Sequence, residues 1–173
     1  DRVIDGLLSQ KDGGYELTVR IHDRDATQAR FEETWNFKPE GVFENLHKLV
    51  RLIAEETGAT LDENIKEKIE FGTDNPDAFL KFLEGYDAFV YVQQANGQVT
   101  KDFDPQAAIN LLLAAVELDN DFLAPFDTLV QFCRICGGNR IGTFDIFKNA
   151  LDRLAIIAPD DYKPPFAQAE LFA

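Results

Sequence analysis

The chain has 173 residues, enough for one ordinary domain or two small units. It is 45% apolar and 28% charged, the balance of a globular protein that buries a core, and 17 Lys+Arg against 31 Asp+Glu leave a net charge of −14. That charge argues against a nucleic-acid backbone or an anionic membrane as partner, since both are negative, and no apolar run approaches the roughly 20 residues that span a bilayer.

Reactive side chains are scarce. Ser9 is the single serine, His22 and His47 are the only histidines, and Cys133 and Cys136 the only cysteines. Nucleophilic catalysis and metal binding draw mainly on these types, so no enzyme, cofactor or metal site is expected. Methionine is absent, so the chain reads as a segment of a longer protein. With no basic n-region leading into an apolar h-region, it is expected to be cytoplasmic.

The first 37 residues read as strands. Val3 to Leu8 is short and apolar, and Lys11-Asp12-Gly13-Gly14 is a hairpin turn. Tyr15, Leu17, Val19 and Ile21 then alternate with Glu16, Thr18, Arg20 and His22, the period of a half-buried strand. Asp23 to Thr27 is a second turn, and Phe31, Thr34, Trp35 and Phe37 form a third strand, completing an antiparallel meander.

Pro39-Glu40-Gly41 breaks the pattern. Val42, Leu46, Leu49, Val50 and Ile53 recur at helical spacing, with Gly58 placed to end that helix. A second helical stretch near 64–71 leads to Gly72-Thr73-Asp74-Asn75-Pro76, the expected boundary between a unit at 1–72 and one at 73–173. Beyond it the spacing predicts helices near 77–92, 105–118, 121–136 and 143–157, and a last one from about 164. Both units are acidic, with 10 basic against 16 acidic residues over 1–72 and 7 against 15 over 73–173.

The helical half repeats. Ala115-Val116, Asp121-Phe122 and Pro125-Phe126 recur as Ala155-Ile156, Asp161-Tyr162 and Pro165-Phe166 at an offset of 40, and Phe79 opens a looser copy 47 residues before Phe126. A period of this size with two helices per unit signals stacked helical hairpins. The run Ala108 to Asp119 resembles the second helix of a tetratricopeptide repeat, and Phe126, Leu129, Val130, Cys133 and Gly137 resemble the first helix of the next. Phe79, Phe82, Leu83 and Tyr86 fit the same template, and Phe166 and Ala169 begin a third copy. Val130 and Cys133 depart from the usual Gly and Tyr, Lys148 and Asp152 from the usual small and apolar residues. The family's repeat is about 34 residues, so the offsets imply inserts inside each repeat.

Residues 2–60 carry a second resemblance. Val3 to Ser9, Tyr15 to Asp23 and Phe31 to Phe37, followed by a helix and then by Asn75-Pro76-Asp77-Ala78-Phe79-Leu80-Lys81-Phe82-Leu83-Glu84-Gly85, resemble the last strands of a TolB amino-terminal-like domain leading into tetratricopeptide repeats. The resemblance implies a non-catalytic docking or regulatory region of a larger bacterial signalling protein.

Three motifs have plainer readings. Cys133-Arg134-Ile135-Cys136 lies near a helix C-terminus, where no dipole activates a thiol, and is read as packed, reduced cysteines. Gly137-Gly138-Asn139-Arg140-Ile141-Gly142-Thr143 lacks a phosphate-binding lysine and is read as an inter-helix turn. Asp119, Asp121, Asp160 and Asp161 lack the spacing of a calcium loop and are read as caps and turns.

The 15 phenylalanines mostly fall at core spacing. Phe89 and Phe132 lie off the repeat template and, with Phe166 and Phe172 in the unfinished third copy, are the residues expected to contact a partner. The basic residues after 72 are scattered, so no clamp for a peptide carboxylate is expected. The sequence therefore predicts an α+β chain, a three-stranded antiparallel meander plus helix followed by an all-α tetratricopeptide-like helical-hairpin array. The expected function is non-catalytic protein–protein interaction with a protein or peptide. The alternatives are a small-ligand sensory module, with its ligand between meander and helices, or self-association through Phe166, Leu171 and Phe172.

Overall fold

A computed structural model describes residues 2–60, 70–96 and 98–172, the last by its backbone alone. The chain divides into two compact units, 1–71 and 72–173. The first is the meander with its helix, the second is all-helical, so the α+β class is as expected.

In the first unit, β1 (Arg2–Lys11), β2 (Gly14–Asp23) and β3 (Phe31–Phe37) form one antiparallel sheet in the order β1-β2-β3. The period-two pattern of β2 sets its two faces. Tyr15, Leu17, Val19 and Ile21 are buried, and α1 (Val42–Thr57) adds Val42 and Ala54 to the unit's core. Each of the Leu, Val and Ile side chains so removed from water contributes about 1.5–3 kcal/mol before entropy is charged against it. Asn45, also buried, satisfies its amide by donating to the Gly41 carbonyl at 2.8 Å.

The other face is mostly polar, with Val3 and Leu7 of β1 exposed among its charged and hydroxyl side chains. Arg20 donates to Glu32 at 2.8 Å and lies 3.9 Å from Asp5, Asp5 meets His22 Nε2 at 2.8 Å, and Thr18 meets Thr34 at 3.0 Å. These exposed cross-strand pairs pin the register. β1 runs beyond the apolar stretch that marked it in the sequence, because backbone pairing carries Ser9, Gln10 and Lys11 on to Gly14 at the turn. Most of the helical stretch expected near 64–71 lies outside the described residues.

The second unit contains α2 (Pro76–Gln94), α3 (Pro105–Leu118), α4 (Leu123–Gly138), α5 (Phe144–Ile157) and α6 (Lys163–Phe172). Two starts are built by the same device, a side-chain cap before proline, which needs no amide of its own. The Asn75 side chain accepts from the amides of Asp77 at 3.1 Å and Ala78 at 3.2 Å, and the Asp104 carboxylate from Gln106 at 2.9 Å. Helices pack on their neighbours in sequence and on the next but one, α2 on α3 and α4, and α4 on α5 and α6. The core between them holds Ile109, Leu112, Leu129, Phe132, Phe147, Leu151 and Leu154. Among the described residues no helix is long and apolar enough to cross a membrane.

Candidate interaction groove

The four aromatic residues expected to meet a partner do not share one fate. Phe132 has 0% of its surface exposed and Phe89 6%, so both belong to the core between helices, and the expectation that they form anchors is corrected. They sit off the repeat template because they fill the space between hairpins: the Phe132 ring lies 6.5 Å from that of Phe103, which comes from the loop between α2 and α3. Phe166 is 53% exposed, and the Phe172 side chain lies outside the described residues.

The 40-residue offset locates the surface more sharply. Phe122 and Phe126 are 1% and 6% exposed, whereas Tyr162 and Phe166 at the equivalent places are 73% and 53% exposed. Phe122 is enclosed by the rings of Phe79 at 6.3 Å and Phe82 at 5.2 Å. Tyr162 has no ring neighbour of that kind among the described residues. Two aromatic rings, placed for packing by the repeat, therefore face water.

They border a trough between α4 and α6. Its narrower part, about 270 Å³, lies between Asp127, Val130, Tyr162, Lys163 and Phe166. Its wider part, about 810 Å³, runs on past Ile135, Gly138, Arg140 and Glu170. Gln131 and Arg134 line both. Leu171, named in the self-association alternative, is half-buried and lies against Gly137, where α6 approaches so closely that a Cβ would collide with it. Gly137 and Gly138 thus complete α4 and do not belong to the following turn, which corrects that reading of the glycine-rich stretch.

Arg134, Arg140 and Lys163 line the trough, so three of the seven basic residues after 72 converge on it although they are scattered in sequence. Two are engaged by the protein's own carboxylates. Lys163 Nζ is 2.6 Å from Asp127 and 3.7 Å from Asp161, and the hydrogen bond to Asp127 raises its pKa above the usual lysine value. Arg134 holds Glu170 with two nitrogens, at 2.5 and 3.1 Å, and its guanidinium carbon is 6.0 Å from the Phe166 ring centre. Arg140 has no ion-pair partner among the described residues, and its backbone is left-handed, with φ 57°. Arg140 is thus the cation of the trough that no carboxylate among the described residues pairs with, on an acidic chain.

No group of three or more metal-ligating side chains occurs among the described residues. Asp119 accepts from the Asp121 amide at 3.1 Å and from the Thr73 hydroxyl, and Asp161 from the Lys163 amide at 2.8 Å, so these carboxylates close turns. Cys133 and Cys136 are free and fully buried. Burial pushes both thiols up, Cys136 to about 12, which keeps them protonated and unreactive. Iodoacetamide at pH 8 is therefore expected to leave both unlabelled in the folded chain and to label both in denaturant, read by intact mass. Fast labelling of either in the folded protein would contradict the packing described.

Tyr162, Arg134, Arg140 and Lys163 escaped the sequence reading. The signal for Tyr162 was present, a hydroxyl added at the repeat equivalent of a buried phenylalanine. The cationic residues leave no such trace, because only helix packing brings them together. No protein-family model matches the chain, and no curated protein matches it in sequence.

Proposed function

We propose that the chain is a non-catalytic docking module, and that the trough between α4 and α6 receives a segment of a partner protein. The observation that carries this reading is the pair of exposed rings, Tyr162 and Phe166, where the preceding copy buries Phe122 and Phe126. Aromatic anchors beside arginine are the residue types that concentrate binding energy at interfaces. The partner segment brings an apolar side chain to the rings and an acidic group to Arg140. The helical-hairpin arrangement and the tetratricopeptide-like pattern support this assignment, as does the scarcity of catalytic side chains.

The test compares the intact chain with a Tyr162→Ala/Phe166→Ala double variant, both immobilised and exposed to the same cell extract at low and high salt. A specific partner is expected to stay on the intact chain at high salt and to bind the variant at least tenfold more weakly, a loss of about 1.4 kcal/mol or more. The melting temperature of the variant is expected to be unchanged, since both rings are largely in water. A retained set that is identical for the two, or that washes away with salt, would overturn the reading and leave the charge of −14 as a simple ion exchanger.

A further inference from the structure

Among the described residues, the order β1-β2-β3 leaves β1 paired on one side only. Eight of its ten residues are exposed and Leu8 and Ser9 are half-buried, with Val3 at 49%, Ile4 at 40% and Leu7 at 60%. A free edge of this length presents a row of unpaired N–H and C=O groups, the template on which another strand adds. The direction of those groups follows from β2. The Ile21 carbonyl accepts from Arg30 at 2.8 Å, on the β3 side. The N–H and C=O of one strand residue point the same way, so odd-numbered residues of β2 bond β3 and even-numbered ones bond β1. With Leu7 opposite Thr18 and Ser9 opposite Glu16, the even-numbered residues of β1, among them Gly6, Leu8 and Gln10, turn their amides to the free edge.

The side chains along this edge are self-complementary. Antiparallel pairing of β1 with a second copy about Leu8 sets Asp5 opposite Lys11 of the other strand on both sides of the axis. It also sets Leu8 against Leu8 on one face and brings Leu7 diagonally to Leu7 on the other. Pairing about Asp5 would face two carboxylates. Pairing about Gly6 or Leu7 sets no opposite charges against each other within β1. Asp5 is already bound to His22 at 2.8 Å, and Lys11 lies 3.3 Å from Glu16, so the Leu8 register joins two existing ladders into one.

We infer that β1 is a self-association edge, through which two copies of this chain form a continuous six-stranded sheet with Leu8 on the two-fold axis. The surface is distinct from the α4–α6 trough.

Sedimentation and cysteine cross-linking of the whole chain test this. The intact protein is expected to sediment at twice its 19.5 kDa mass. Gly6→Pro removes an outward amide while sparing the bonds to β2, and is expected to give a monomer with an unchanged far-UV spectrum. Directly opposed hydrogen-bonded residues have Cα atoms about 5.5 Å apart, inside the disulfide range. Leu8→Cys is therefore expected to cross-link to a dimer under copper–phenanthroline while Cys133 and Cys136 stay buried, and Val3→Cys, outside the pairing, is not. Should Gly6→Pro unfold the chain, the two cysteine variants decide. A monomeric wild type, equal cross-linking at Val3 and Leu8, or a dimer lost in Phe166→Ala but kept in Gly6→Pro would overturn the inference.

Discussion

Phe132→Ala is expected to cost the helical unit about 3–5 kcal/mol, the range for truncating a fully enclosed aromatic side chain. The ring has 0% exposure, belongs to the core shared by the helices and lies 6.5 Å from the Phe103 ring, so its removal leaves a cavity inside packed surroundings. For a domain of this size each kcal/mol moves the melting temperature by about 4–8 °C, so the expected fall exceeds about 12 °C. Thermal denaturation followed at 222 nm reads this directly. A shift of under about 4 °C, less than the loss of 1 kcal/mol produces, would place Phe132 outside the core and restore it as a surface anchor.

Gly85→Ala has two opposed contributions. In a helix interior alanine is favoured over glycine by about 1 kcal/mol. At this position, however, a Cβ would lie 2.7 Å from Leu112 Cγ, 2.9 Å from its Cδ2 and 3.3 Å from its backbone nitrogen. Leu112 is fully buried, so its side chain has nowhere to go, and the backbone atom can yield only if α3 moves away from α2. Overpacking of this kind costs about 1–3 kcal/mol. The net expectation is destabilisation, with a melting temperature lowered by several degrees. A rise would mean that α2 and α3 are not in such close contact.

These two positions also show how far the sequence could be read. The strand pattern of Tyr15, Leu17, Val19 and Ile21 and the helical spacing of Val42 to Ile53 were legible because burial on one face leaves a period in the chain. The start of α2 was legible because Asn75-Pro76 is a cap followed by a residue that needs no amide. Phe132 was misread because an aromatic residue off a repeat template fits an exposed anchor and an inter-hairpin wedge equally well. Only packing distinguishes them. Gly85 stands in the Asn75–Gly85 run, yet nothing marks it in sequence as a point where α2 meets α3 closely, since that depends on Leu112, 27 residues away. The trough was legible in part. Phe166 was identified from its place in an unfinished copy, whereas Arg134, Arg140 and Lys163 are brought together by the packing of α4 on α6, a relation between helices that a linear pattern does not record.

The docking account is tested most directly by photo-cross-linking from the trough. A benzophenone amino acid placed at position 162 or 166, in the whole chain and in cell extract, is expected to yield the same discrete adduct from both positions. The same probe at Ile156, 79% exposed on α5 and not part of the trough, is expected to yield none. Adducts that appear equally from all three positions, or from Ile156 alone, would contradict a partner-binding groove between α4 and α6.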